Sequence, residues 1–408
     1  MNKRHLFNHR NLLSTAALAS MLAFVPAAEA NAAPIHPHEQ VKEKQHAHQP
    51  IQSVKSLRFL GEQRLPYNLT FEGTTVGGLS GIRYDEKNDE WLMISDDRSN
   101  LQPARFYTGK LDYGLNGFRS VQITSMEYMK QPDGSLYPSQ AEYEAQGGDV
   151  PDLESISLDP KTDTIWYTSE GDRSLGLDPF IRQATRKGDH LSTLPLPDEF
   201  HMSPDEESGP RNNAVFEGST FSADGESLWV AMEGPLYEDG AAPTVENGGF
   251  SRITQYDRQG NVLAQYAYPM DAIPAAPGPG KHADNGVTEI LAVNKHTFLV
   301  LERAGVQAAD GSFSNYIRLY EMNIPGASDI QNLDSLQDER FKPVKKRLVL
   351  DLNTLNLPKL DNIEGLSWGP TLENGNRSLV LVSDNNFNST QVTQFLAFEV
   401  KTKGPKAR

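Results

Sequence analysis

One motif recurs five times along the chain, and this repetition constrains the fold more than any other feature. Each copy joins a short strand-like run to a second, apolar run that ends in an acid. The first copy leads from Gly78-Leu79-Ser80-Gly81-Ile82 to Trp91-Leu92-Met93-Ile94-Ser95-Asp96-Asp97-Arg98. The second leads from Asp152-Leu153-Glu154-Ser155-Ile156 to Ile165-Trp166-Tyr167-Thr168-Ser169-Glu170. The third leads from Val215-Phe216-Glu217-Gly218-Ser219 to Leu228-Trp229-Val230-Ala231-Met232-Glu233. The fourth leads from Val287-Thr288-Glu289-Ile290-Leu291 to Phe298-Leu299-Val300-Leu301-Glu302-Arg303. The fifth leads from Ile363-Glu364-Gly365-Leu366-Ser367 to Leu379-Val380-Leu381-Val382-Ser383-Asp384. The anchors at 80, 154, 217, 289 and 364 lie 74, 63, 72 and 75 residues apart. A unit repeated at such a period cannot bury its apolar faces alone and stacks on its neighbours.

Turn residues separate the two runs of most copies, as at Asp85 to Asp89, Asp159 to Asp163 and Ala223-Asp224-Gly225. A further pair of strand-like runs follows most copies, for example Ile253 to Asp257 with Val262 to Tyr268. Four strands per repeat, arranged in series about an axis, describe an all-β fold, a β-propeller. The second runs are apolar on consecutive positions, as strands covered on both faces must be. Five copies imply five blades, and residues 112–150 or 178–210 leave room for a sixth. Leu57 to Arg64 has no partner of its own and is expected to complete the last blade, which removes the open sheet edges.

The chain has 408 residues, a formal net charge of −16 and no cysteine. That composition excludes disulfides, thiolate metal sites and a thiol nucleophile. It also argues against a non-specific nucleic-acid binder, which needs cations to displace phosphate counterions. Met1 to about Ala32 reads as a signal peptide: Lys3, Arg4 and Arg10, then the apolar run Leu12 to Val25, then small residues at Ala28, Ala30 and Ala32. The apolar run is shorter than the roughly 20 residues a spanning helix needs. The expectation is an exported protein, periplasmic or secreted, with no membrane span and monomeric. Residues 33–53, with His36, His38, His46 and His48, read as a disordered linker. Residues 54–402 form the propeller domain and 403–408 a tail.

In a propeller the first strand of each blade lines the axis, so the repeat's acids converge on one rim. Glu154, Glu217 and Glu364, with Arg98 and Arg303, are the candidate catalytic set. Asp96, Glu170, Glu233, Glu289, Glu302 and Asp384 are candidate metal ligands. Crowded carboxylates raise one another's pKa, and a cation relieves them. Calcium (Ca²⁺) suits an irregular set of oxygen ligands. Such a cation beside Arg98, Arg303 and Lys359 would suit a phosphate ester, with a free Glu as base. The competing reading makes each Glu an acceptor for backbone N–H groups of the next blade. No G-x-S-x-G elbow is present, and His190, His201, His282 and His296 show no metal-ligand spacing.

The chain resembles the esterase-like activity of phytase (phytase-like domain) family of exported bacterial proteins. The resemblance rests on Gly77-Gly78-Leu79-Ser80-Gly81-Ile82, Ser95-Asp96-Asp97-Arg98-Ser99, Pro103-Ala104-Arg105-Phe106-Tyr107 and Asp152-Leu153-Glu154. It continues through Phe216-Glu217-Gly218, Glu233-Gly234-Pro235-Leu236, Leu301-Glu302-Arg303, Asp361-Asn362-Ile363-Glu364-Gly365 and Ser383-Asp384-Asn385-Asn386-Phe387. It implies ester or phosphoester hydrolysis carried by the recurrent Glu and Asp. Ser80 departs from the pattern, standing where the other copies have Glu. A non-catalytic, cation-stabilised propeller that binds a protein or glycan of the cell envelope, or a lactonase-like carboxyl esterase, are the alternative functions.

Overall fold

The computed structural model describes residues 51–337 and 340–402. The expected signal peptide, most of the expected linker and the tail lie outside the described residues. Five four-stranded antiparallel sheets follow one another along the chain. Blade 1 comprises Leu79–Asp85, Glu90–Ser95, Arg105–Gly114 and Gly117–Tyr128. Blade 2 comprises Leu153–Leu158, Ile165–Ser169, Phe180–Ala184 and His190–Thr193. Blade 3 comprises Phe216–Phe221, Leu228–Met232, Gly249–Tyr256 and Val262–Met270. Blade 4 comprises Gly286–Asn294, Thr297–Gln307, Phe313–Asn323 and Lys345–Asp351. Blade 5 takes Asn362–Thr371, Arg377–Asp384 and Gln394–Thr402 from the end of the chain and its outermost strand, Val54–Arg64, from the beginning. The segments that left room for a sixth blade hold outer strands of blades 1 and 2 and one short helix, Gln140–Gln146. The count is therefore five.

The first strand of each blade touches the first strands of the blades on either side, and blade 5 returns to blade 1. The core is divided accordingly into five clusters, one between each pair of neighbours, and a small sixth one joins Ala267 of blade 3 to Ile330 and Leu336. In blade 1, Trp91 and Met93 pack towards blade 5, whereas Leu92 and Ile94 pack towards blade 2. This explains the uninterrupted apolar runs: successive side chains point to opposite faces of a strand, and each face of a blade meets another blade. The seam is held in the same way. Leu57 pairs with Val400 and Phe59 with Phe398, and Ile51 is buried beside them. Ser53 and the backbone N–H of Val54, at 2.7 Å, both donate to Glu321. Among the described residues no helix is long and apolar enough to cross a membrane.

Candidate functional site

Every inner strand carries a β-bulge at the position of the repeated motif. The pairing slips between Leu79 and Gly81, Leu153 and Ile156, Phe216 and Ser219, Val287 and Glu289, and Ile363 and Gly365. A bulge re-aims the side chain it contains. Glycine follows the bulged residue in three blades because the next inner strand lies against it. A Cβ at Gly218 would stand 2.6 Å from the backbone nitrogen of Ile290, and one at Gly365 2.9 Å from the carbonyl oxygen of Ser80.

Aligned by this register, the bulge positions are Ser80, Glu154, Glu217, Thr288 and Glu364, and the residues next after the second-strand partner of the pre-bulge residue are Asp96, Glu170, Glu233, Arg303 and Asp384. Blade 4 therefore differs from the others. Thr288, not Glu289, occupies the bulge, and Arg303, not Glu302, occupies the place of the acid. Asp96, Glu154, Glu217, Arg303, Glu364 and Asp384 line one cavity of about 930 Å³ at the end of the axis where the inner strands begin. Its wall is completed by His282 and Asp284 before blade 4, by Asn315, and by Lys359, Asn386 and Gln391 around blade 5.

Glu289 and Glu302 lie elsewhere. Glu289 points down the channel, accepts from the backbone N–H groups of Ser219 (3.0 Å) and Ile290 (2.9 Å), and pairs with Arg83 at 3.4 Å. Glu302 faces away from the axis. It accepts from Tyr268 Oη at 2.7 Å and Asn285 Nδ2 at 3.2 Å, and pairs with Lys346. Arg98 is bound at 2.6 Å to both Asp152 and Asp172, which commits it to holding Asp152 in place. Asp97 is a turn anchor, accepting from Leu101 and Gln102 and pairing with Arg105.

The remaining carboxylates are crowded. One oxygen from each of Asp96, Asp152 and Glu154 lies within 4.8 Å of the others, and so do oxygens of Glu154, Glu170 and Glu217. The two groups share Glu154. Burial, the first cause in every case, pushes Asp96 up to about 6, Glu170 to about 8, and Glu233 and Glu364 to about 7. It holds Glu154, Glu217 and Asp384 well above the carboxylate range, and neighbouring acids push the same way. Arg303 opposes this at Glu233 (3.0 Å) and Glu364 (3.6 Å). It also pairs with Asp284 at 3.3 Å. Burial works against its own charge, but Glu233, Asp284, Glu364 and Glu217 outweigh that and raise its pKa.

Four buried polar atoms of this region have no partner: the acceptors Asp96 Oδ1 and Glu170 Oε2, and the Thr288 hydroxyl and Arg303 Nε. Buried polar atoms are ordinarily paired, and an orphan costs about 1–3 kcal/mol. A donor set made only of carboxylate oxygens, two of them orphaned, fits a hard divalent cation. The arrangement can thus take a cation on its acidic side and an anion at Arg303.

The repeated motif carries Glu154, Glu217, Glu364 and Arg303 to this rim, whereas Asp152, Asp284 and His282, which lie beside them, stand outside the candidate set it defines. Asp152 had a signal, since it lies one residue before the inner strand. His282 and Asp284 lie in a connection of no regular pattern.

No curated protein matches the chain. Among solved structures, the GH62 catalytic domain of a Coprinopsis cinerea α-L-arabinofuranosidase is similar at 9% identity and TM-score 0.41, covering 86% of this chain and 100% of its own. A Podospora anserina α-L-arabinofuranosidase in complex with cellotriose is similar at 8% identity and TM-score 0.41, covering 86% of this chain and 99% of its own. Likenesses this distant carry no argument about chemistry. The sequence itself matches the family described as "Esterase-like activity of phytase" over residues 74–387, a span that takes in the inner strands of all five blades and every acid and arginine named at the rim. The chain belongs to this phytase-like family.

Proposed function

We propose that this protein is an exported hydrolase of phosphate esters, assisted by a divalent cation, of which calcium is the first candidate. The observation that carries the reading is the break in the ring at blade 4. Four blades present acids, and blade 4 presents Arg303 and Thr288, each with an unpartnered donor. A ring of acids serving only to join blades has no use for such a break. A phosphate with a cation complements both sets of orphaned atoms at once. The amino-terminal pattern supports export.

Asp96, Asp152, Glu154, Glu170 and Glu217 would hold the cation. When bound, it supplies Lewis acidity towards a phosphoryl oxygen and a water. Arg303 offers its free Nε–H to a second phosphoryl oxygen, with its terminal nitrogens fixed by Glu233 and Asp284. The Thr288 hydroxyl, unpartnered at the bulge of the same blade, would donate to the same group. Glu364 stands outside both carboxylate groups, and Asn362 Nδ2, at 2.8 Å from its Oε1, sets its orientation. It serves as the base that takes a proton from the attacking water. Arg98 acts through Asp152 as a positioning residue.

The test is hydrolysis of p-nitrophenyl phosphate and bis-p-nitrophenyl phosphate by the purified chain, with calcium and with chelator. Turnover is expected with calcium, falling by at least about 100-fold in E154Q, a loss of the size seen when transition-state electrostatics are removed. If neither phosphate ester is cleaved under any divalent cation, the reading is wrong.

A further inference from the structure

A second group of chemical side chains lies on the wall of the same cavity. His282 Nε2 lies 2.9 Å from Asp284 Oδ2, and the other oxygen of Asp284 accepts from the Gly305 N–H at 2.8 Å and faces Arg303 at 3.3 Å. The segment is not a loose loop. The Asp284 N–H donates to the Gly305 carbonyl at 3.0 Å and the Gln307 N–H to the His282 carbonyl at 2.9 Å, so 282–284 prolong the blade 4 hairpin beyond its inner strand. The contact with Asp284 occupies Nε2 and leaves Nδ1 free on a side chain that lines the cavity and is 61% exposed.

The order of the blades gives this placement its meaning. The inner strands form a ring of five in chain order, so blade 4 stands across from the junction of blades 1 and 2. That junction holds Asp96 from blade 1 with Asp152 and Glu154 from blade 2. In a phosphoryl transfer the attacking and leaving oxygens lie on opposite sides of phosphorus. The inner strand of blade 5 packs on that of blade 1, so Glu364 borders this junction, and an attack from that side, with the phosphoryl group at Arg303, sends the leaving oxygen towards the wall that carries His282.

From this we infer that His282 is the general acid of the reaction, donating a proton from Nδ1 to the departing ester oxygen, with Asp284 as its positioning residue. The inference rests on the phosphate-ester reading above. Water forms the new P–O bond and gives its proton to Glu364. The P–O bond to the alcohol breaks, its electron pair stays on the leaving oxygen, and the His282 proton neutralises that oxygen. The products are an alcohol and inorganic phosphate, and solvent returns both side chains to their starting protonation. A general acid matters in proportion to the basicity of the leaving oxygen. The protein should therefore be built for alkyl esters and not only for activated aryl esters.

The experiment compares wild type and H282Q on glycerol 2-phosphate, whose leaving group is a basic alkoxide, and on p-nitrophenyl phosphate, whose leaving group needs no proton. H282Q should lose about 100-fold or more in kcat on glycerol 2-phosphate and less than about tenfold on p-nitrophenyl phosphate. D284N should show the same imbalance to a smaller degree. Calcium-induced stabilisation and inhibition by orthophosphate should be unchanged in H282Q, which separates proton donation from a role in holding the site. Equal losses on the two esters, or no loss on either, would overturn the assignment of His282. A wild type inactive on both esters would instead overturn the phosphate-ester reading.

Discussion

Arg83 and Arg303 are both nearly buried cations near the axis of the propeller, one towards each end, and the chain treats them differently. Arg83 lies on the inner strand of blade 1, where it borders a smaller recess of about 290 Å³ at the far mouth. It donates to the carbonyls of Ile156 in blade 2 (3.1 Å), Ser219 in blade 3 (2.7 Å) and Leu366 in blade 5 (3.4 Å), and pairs with Glu289 of blade 4. One side chain thus ties blade 1 to all four others. At the opposite end, Arg303 faces several acids and keeps a donor free, while two acid oxygens also remain unpartnered. Charge satisfied within the chain is a joint between blades. Charge left unsatisfied, at the cost of stability, marks a place for something from outside.

The comparison breaks most visibly at Arg83. R83M leaves Glu289 buried without its cation and takes one donor from each of three carbonyls. The expected loss is about 3–5 kcal/mol, read as a lower urea midpoint with or without calcium. A loss below about 1 kcal/mol would mean that Arg83 is no joint. At the acidic end, the effect is expected to depend on pH and on the cation. Glu170, near 8, and Glu233 and Glu364, near 7, bind protons more tightly folded than unfolded. In the cation-free protein the stability these three groups contribute is therefore fully present below about pH 4.5, the ordinary Glu range. It is lost as pH rises towards 8, on the order of several kcal/mol. Because the cation needs the ionised carboxylates, calcium-induced stabilisation should grow over the same range. A melting temperature that rises from pH 5 to pH 8 without divalent cations would contradict this.

The smallest expected effect sharpens the boundary of the site. E302Q disturbs the contacts of Glu302 with Lys346 and Asn285, costing about 1 kcal/mol, and should leave the calcium-induced shift in melting temperature as it was. If E302Q abolished that shift, the register that excludes Glu302 from the cavity would be wrong.

That register is also where sequence and structure part. The repeats, the apolar second strands and the role of Leu57 to Arg64 are all legible in the sequence, because they follow from strand alternation and from the need to close an edge. Glu154, Glu217 and Glu364 are legible because each stands at the bulge of its own blade. In blade 4 the spacing alone makes Glu289 and Glu302 look equivalent to the other acids. The bulge falls on Thr288, one residue earlier, so a shift of one position sends each glutamate to the opposite side of its strand. Bulge position depends on backbone pairing, and the residue types here leave it open. Asp284 and His282 were hidden for another reason: they act through a short extension of the hairpin that carries no repeat.

The seam between Val54–Arg64 and Gln394–Thr402 has a consequence for how the protein comes into being. Since the first and last strands of the domain knit the final sheet together, no shorter fragment of it contains a finished circle. A growing chain carries its acids strung out in a line, with nothing to gather them until the concluding strand arrives. The rim is therefore completed abruptly, when the last strand of the domain pairs with the first, and a product cut short by a few dozen residues at either end of the domain would lack it however well its first sheets had formed.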